Sequence, residues 1–504
     1  MTRFSWLDYT IFTVYLLASV LIGVLFVKEQ KNVKDYFLAG RSMGYITVAI
    51  SVLAALFSGI SYLGAPAEVY AHGMAFILFG MSFFIATPVT NLVFMPVFHH
   101  ARTYTAYQYL EERFSVQIRL LSSALFIIRA LLWLALATYA PALALEQVTG
   151  MPLWFTILCS GVLTTIYTAL GGMKAVIWTD VMQFLVLIGG QFIILLIAVG
   201  HTPGGMRGVY DLGQAAHKFD LSLSFDTSVR VTLWGLLLGG AAINLVQMAT
   251  DQVSVQRYLT APNLKEAKRA LWLKLSLLIP VFIVFYATGI VIWAFYQAKG
   301  DPLAAGLITK PDQILPYFVI NELPAGLPGL LVAAIYAASM STTSAGINAL
   351  TTTTLVDFHQ RLWRKSKNAE GVKLSLARWL TFGYGMLVML LAFVVEKLGP
   401  LLEASNKAIG LVGGPLLGLF LLGILVRRAN SIGAVIGWLA GVVALIPVCF
   451  FSKTSFLWYG VVGCLVTICV GWVASLFFPA PPLRTAPNTG ETSASEPARD
   501  ALKS

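Results

Sequence analysis

Residues 336–354 read YAASMSTTSAGINALTTTT, a dense run of hydroxyls inside an otherwise apolar stretch. A lone Ser or Thr in such a stretch bonds back to the carbonyl one turn earlier. Here Ala338, Ser341, Thr342 and Ser344 cluster within about two turns of a helix. Sodium is a hard cation that prefers oxygen ligands, and neutral hydroxyls and carbonyls hold it without burying an unpaired carboxylate. Free carbonyls arise where a helix is broken, and the segment 54–66 (AALFSGISYLGAP) carries Gly59, Gly64 and Pro66. Gly235, Gly239 and Gly240, and Gly410, Gly413, Gly414 and Pro415, punctuate two further apolar runs. Any single one of these glycines is also explained by close helix packing.

Arg129, in SALFIIRALLWLALATYAP, places a guanidinium near the middle of a helix. In lipid that is expensive, so it must face a cavity or a partner. Its fork suits a carboxylate on a solute, with Trp133 one turn later to stack on an organic group; a structural acid would satisfy it equally well. Asp180, in the segment WTD, reads on position alone as an N-cap or interfacial acid at the start of its helix. Asn244 and Gln247 lie too deep in a span to face lipid, which leaves a solute or another helix as their partner. Gln256 and Arg257 read as loop packing or gate contacts, and His72, His99 and His100 as structural or interfacial groups.

The elements that must position these groups are membrane spans. The chain has 504 residues, 58% hydrophobic and 11% charged, with a mean hydropathy of +0.79, whereas soluble domains are about 25% charged. Windows of about 20 apolar residues predict helices over 7–27, 44–70, 74–98, 117–147, 153–171, 175–199, 228–250, 268–296, 328–356, 374–396, 403–427, 429–451 and 455–478. That is about thirteen spans in an all-α polytopic membrane protein. The first run lacks a basic leader and a small-residue cleavage site, so it reads as a span and not a signal peptide.

Basic residues fall in alternate connections: Lys28, Lys31, Lys34 and Arg41; then Arg257, Lys265, Lys268, Arg269 and Lys274; then six more in 361–378. The positive-inside rule makes these cytoplasmic, which places the N-terminus outside and the C-terminus inside. The net charge of +11 is thus a topology signal and not a nucleic-acid signal. Cys159, Cys449, Cys464 and Cys469 sit in apolar runs without metal or disulfide spacing. The segment 479–504, rich in Pro, Ala, Ser and Thr, reads as a disordered tail.

Five segments give the chain its resemblance to the sodium:solute symporter family: LGAPAEVY at 63–70, FMPVFHH with YQYLEERF within 94–114, YAPALALEQVTG at 139–150, YTALGGMKAVIWTDVMQ at 167–183 and DQVSVQRYL at 251–259. Within the family, LGAPAEVY, YAPALAL and GGPLLGLF (413–420) most resemble the branch of iodide, multivitamin and monocarboxylate symporters, whose substrates are anions. The resemblance implies a LeuT-like core of two inverted five-helix repeats, about 44–199 and 228–427. Residues 1–43 then precede the core as an extra helix and cytoplasmic loop, and 428–478 follow it as two helices. It implies a sodium site made by the carbonyls of Ala54, Phe57 and Ala338 and the hydroxyls of Ser341 and Thr342. A second sodium site or a gate would use Asp180 and Ser344, although Ala345, the next position, offers no side-chain oxygen. The broken second helix and its symmetric partner then suggest Ser58, Ser61, Phe79, Asn244 and Gln247, beside Arg129 and Trp133, as solute-lining residues.

The function expected is import of a small solute, an organic or inorganic anion, by sodium-driven alternating access. A sugar, amino acid or compatible solute is the alternative cargo, and a membrane sensor or channel a more distant one. Sodium enters as co-substrate with no other cofactor; the partners are the solute, sodium and the bilayer, and no nucleic acid. No HExxH, GxSxG or P-loop pattern in a helical context points to an enzyme.

Overall fold

The computed structural model describes residues 4–100, 103–363, 374–395 and 400–479. Its helices are α1 (Trp6–Leu25), α2 (Val33–Leu38), α3 (Tyr45–Leu56), α4 (Gly59–His72), α5 (Phe83–Val89), α6 (Met95–His100), α7 (Gln108–Arg113), α8 (Val116–Thr149), α9 (Leu153–His201) and α10 (Gly205–Ala215). There follow α11 (Gly240–Leu245), α12 (Gln252–Tyr258), α13 (Leu264–Lys299), α14 (Ile314–Glu322), α15 (Leu327–Thr353), α16 (Leu374–Val395), α17 (Pro400–Leu425), α18 (Ser431–Phe450) and α19 (Tyr459–Leu476). No strand occurs among the described residues. Nine of their helical stretches are long and apolar enough to cross a membrane. Residues 480–504, most of the expected tail, lie outside the described part, as do residues 364–373, the greater part of the basic segment 361–378.

Helix α15 is the axis of the molecule. In its stretch Leu327–Trp363, 94% of the most apolar window is buried inside the protein, so its hydroxyls face neighbouring helices and not lipid. Its start is set by Pro328, compatible with a first turn that has no use for that N–H, and by Asp8. The buried Asp8 carboxylate closes a capping box with Ser5 at the head of α1 and accepts from the backbone N–H of Gly326 (2.9 Å) and Gly329 (2.7 Å). An anion at a helix N-terminus meets unpaired N–H groups and the positive end of the dipole.

Two apolar runs are interrupted. Helices α3 and α4 meet at Phe57 (φ −93°, ψ 86°) and Ser58 (φ −74°, ψ 166°), where Ser58 Oγ accepts from Ser61 N at 3.3 Å and starts the second half. Helix α9 changes direction at Gly172 (φ 57°, ψ −156°). No side chain tolerates that backbone, and a Cβ there would lie 2.8 Å from both the ring and the carbonyl of Tyr36. The two arms, 153–171 and 173–201, match the two separate spans expected from the sequence.

The connection 28–43 differs from the solvent-facing loop expected. Its α2 turns back against the core at 110° to α3, burying Tyr36, Phe37 and Leu38 completely. Tyr36 Oη donates to the carbonyls of Thr168 (3.3 Å) and Ala169 (3.1 Å) just before the Gly172 break and lies 2.9 Å from Thr381 Oγ1. The apolar residues of YFL outweigh the flanking lysines there, because a charged loop can still bury one face of a short helix.

Candidate functional site

The α3–α4 break lies against the middle of α15. A Cβ placed on Gly59 would stand 2.3 Å from the Pro141 ring, so absence of a side chain is what lets α4 approach α8, while the Ile335 carbonyl of α15 lies at contact distance, 3.7 Å. The amide of Phe57 bonds to Ala54 O at 3.2 Å, a three-residue closure, and the last carbonyls of α3 lose their usual partners four residues on. About two turns along α15 from Ile335, Thr342 Oγ1 donates to Ala338 O (3.1 Å), and beyond it Ser344 Oγ donates to Ser341 O (3.0 Å). Ser341, Thr342 and Ser344 are all buried. Hydroxyls one turn from their own carbonyls give paired oxygens on one helix face, the donor set a hard monovalent cation takes.

Asp180 corrects its simplest reading. It is neither an N-cap nor interfacial: it sits in the third turn after the Gly172 break with no exposure. Its carboxylate accepts from Ser341 Oγ (2.7 Å), Ser51 Oγ (2.5 Å) and Arg257 Nη2 (2.9 Å). Arg257 Nε also donates to Ser51 Oγ at 2.9 Å. Four elements, α3, α9, α12 and α15, therefore meet at one buried ion pair. Arg257 and its neighbour Gln256, read as loop residues, are both buried, and Gln256 Nε2 donates to Asn348 Oδ1 (2.7 Å) and Thr352 Oγ1 (2.8 Å) on α15. The available signal was Asp251 as the N-cap of a short helix, which takes Gln256 and Arg257 out of the loop.

Arg129 takes the second of its two readings in this structure. It is ion-paired with Asp251, the cap of α12, and its guanidinium carbon lies 5.9 Å from the Phe126 ring centre. Trp133 is half-buried among the apolar residues around Phe126 and Leu134. Ser58 is buried beside Ser61, their hydroxyls 3.4 Å apart. The segments of Phe79 and Asn244 pack on each other: Asn244 Nδ2 donates to Ser82 Oγ (2.7 Å), and Gly240 brings its backbone against Phe79 and Ser82. Wide π turns at 235–239 and 246–250 flank α11, and Gln247, half-buried, is in the second. Such turns cluster at functional positions because they leave carbonyls out of register.

A second ionic knot lies between α7, α8 and the continuation of α15. Asp357 accepts from Arg119 Nη2 (2.6 Å), Ser123 Oγ (2.7 Å) and Thr105 Oγ1 (2.8 Å). Glu111 accepts from Arg119 (2.7 Å) and Arg361 (2.9 Å). Burial by itself would raise the Glu111 carboxyl, but the hydrogen bonds from Arg119 and Arg361 outweigh it and hold it below the usual range.

A helical membrane protein whose broken span faces a hydroxyl-lined central helix has the construction of a secondary carrier. The sodium:solute symporter family model matches residues 36–441, and the chain belongs to that family. It is 36% identical over 448 residues to a sodium-dependent multivitamin transporter of Oryctolagus cuniculus, covering 88% of this chain and 70% of that one. To sodium-coupled monocarboxylate transporter 1 of Xenopus laevis it is 37% identical, covering 86% and 70%. To the sodium/sialic acid symporter SiaT of Proteus mirabilis it is 34% identical, covering 95% and 96%. Among solved structures, a Na+-coupled sialic acid symporter in a substrate-bound outward-open state superposes with a TM-score of 0.87 at 32% identity, over 94% of this chain and 99% of that one. Sodium-coupled symport across a membrane is thus the activity the family and these relatives support.

Proposed function

We propose that the protein imports a small organic anion, such as a monocarboxylate or a vitamin, together with sodium by alternating access. The observation that carries the sodium half is the α3–α4 break packed on α15 at Ile335, on the same helix and about two turns before the buried hydroxyls of Ser341 and Thr342. In this reading the carbonyls of Ala54, Phe57 and Ala338 and the hydroxyls of Ser341 and Thr342 receive the ion. Sodium then bridges two helices that must separate for the carrier to turn over, and Asp180 links that bridge to Arg257. Ser344, bonded to the Ser341 carbonyl, belongs to the same face and is the candidate for a second ion with Asp180.

The anion half rests on what the relatives are named for, multivitamins, monocarboxylates and sialic acid. Ser58, Ser61, Phe79, Asn244 and Gln247 would line the solute path, with Arg129 and Trp133 beside it. A tenfold sodium gradient supplies about 1.4 kcal/mol and 100 mV about 2.3 kcal/mol per sodium, enough to concentrate a neutral solute roughly 500-fold. An anion moving against the potential needs a second sodium for the same ratio.

Thirteen spans in two inverted repeats, 44–199 and 228–427, with 428–478 appended, fit the helix limits observed once α9 is divided at Gly172 and α3–α4 is taken as one broken span. The basic connections then place the N-terminus outside and the C-terminus in the cytoplasm.

The test is uptake into proteoliposomes under sodium, lithium, potassium or proton gradients, across monocarboxylates, pantothenate, biotin, sialic acid, sugars and amino acids. Accumulation of a carboxylate above equilibrium with sodium alone is expected. Equal uptake under a potassium gradient would remove the sodium assignment.

A further inference from the structure

Lys274 was counted with the basic residues of a connection, yet it lies inside α13 and is fully buried. Its Nζ stands 4.0 Å from the centre of the Phe83 ring and 3.5 Å from Met248 Sδ. Among the described residues no carboxylate pairs with it, while Arg119, Arg129 and Arg257 each have one. A cation–π contact is worth about 2 kcal/mol when desolvated. Burying an ammonium without a counter-charge costs several times that. Packing therefore does not account for Lys274, and an unpaired ionisable residue inside a membrane protein marks a functional path.

The segment that carries Phe83 has unfinished polar groups where it runs along α13. Thr87, one turn after Phe83, and Asn91, one turn further, each bury an oxygen that has no hydrogen-bond partner. Asn91 faces α13 directly, donating from Nδ2 to the Lys268 carbonyl at 3.4 Å. Met248 belongs to the π turn of 246–250, one turn beyond Asn244. Phe83 lies 6.4 Å, ring to ring, from Phe79 and 6.3 Å from Phe282, and Phe282 lies 5.9 Å from Phe57 at the α3–α4 break. The two side chains the ammonium touches thus lie one turn along the chain from the candidates Phe79 and Asn244, and rings run from Phe83 through Phe282 to Phe57 at the α3–α4 break.

We propose that Lys274, set against Phe83 and Met248, with the open oxygens of Thr87 and Asn91 on the turns that follow Phe83, receives the carboxylate of the transported solute. This rests on the symport reading above and names the group that makes the solute an anion. Arg129 is already neutralised by Asp251, so a carboxylate arriving there would have to displace an acid held by the α12 cap. At Lys274 it meets a cation with no competitor, and its entry completes the charge balance of a buried site. Soft contacts to a sulfur and a ring yield readily to an oxyanion, whose charge-assisted hydrogen bond is the stronger one.

The experiment uses the full chain in proteoliposomes with an inward sodium gradient, and compares each acid with its uncharged counterpart: lactate with lactamide, pantothenate with pantothenol. Wild type is expected to prefer the acid. Lys274→Met should raise the KM for the acid roughly 10- to 100-fold, erase the preference over the amide, and leave sodium-dependent thermal stabilisation in place; Lys274→Arg should keep the preference. An unchanged acid-to-amide ratio in a folded Lys274→Met overturns the assignment. Should that variant not fold, Lys274→Gln and competition between acid and amide for labelled uptake by wild type decide the same point, and equal inhibition by both forms overturns it. Sodium-driven uptake of neutral solutes alone would leave symport standing and remove Lys274 from recognition, whereas no sodium dependence in wild type would remove the symport reading itself.

Discussion

Asp180 and Arg257 form an ion pair of 2.9 Å with essentially no solvent exposure, and the hydroxyl of Ser51 donates to the first while accepting from the second. Breaking such a pair by removing one partner leaves a buried charge alone, at about 3–5 kcal/mol. Asp180→Asn and Arg257→Gln should each lower the melting temperature sharply, and the double substitution should destabilise less than the two single effects added together. Thermal melting of the four proteins in detergent, read as a double-mutant cycle, measures the coupling. Simple additivity would show that the two side chains do not act as a unit.

Thr342→Ala and Ser341→Ala remove hydroxyls from the face of α15 beside the helix break. Each loss of an oxygen ligand is expected to raise the half-saturating sodium concentration by roughly 5- to 100-fold, with a smaller effect on the solute KM at saturating sodium. Sodium titrations of initial uptake rates report this directly. Sodium activation curves identical to wild type in both variants would take these hydroxyls out of the ion site.

Gly172→Ala places a methyl group where the Tyr36 ring and carbonyl stand 2.8 Å away and requires a backbone that alanine does not adopt. The cost should exceed about 2 kcal/mol. By comparison, Gly189→Ala, on the same helix with open space beside its Cβ, should be neutral or mildly stabilising. Thermal melting separates them; equal melting points would mean that the α9 break tolerates a side chain.

Glu111 carries the pH expectation. Its carboxyl is held low in the folded protein by Arg119 and Arg361, so it contributes stability above the unfolded carboxylate range near pH 4, and loses it as pH falls through the lower folded value. Melting temperature should therefore drop on acidification below about pH 4 with a steeper slope in wild type than in Glu111→Gln. Parallel curves would show that the carboxylate does not gain from its two arginines.

The sequence alone determined the class of molecule. Apolar windows place the helices within a few residues of where they lie, because a span must close its own backbone hydrogen bonds and is therefore legible locally. Glycine and proline at 59–66 marked the broken helix, and the density of hydroxyls at 336–354 marked the buried one, since both depend on residue type within a single segment. The tertiary structure decided what each charge meets. Arg129 read equally well as a solute ligand or a structural partner until Asp251, 122 positions away, was found beside it. Asp180 read as an N-cap or interfacial acid or as a residue of a second ion site or gate, and Ser51, Ser341 and Arg257 are what the fold brings to it; Lys274 read as a loop cation, and α13 buries it. Hydropathy reports the average cost of a segment, but the free energy of one ionised group is set by the few atoms within about 4 Å of it. Those atoms come from helices far apart in the chain, so the sequence order does not contain them.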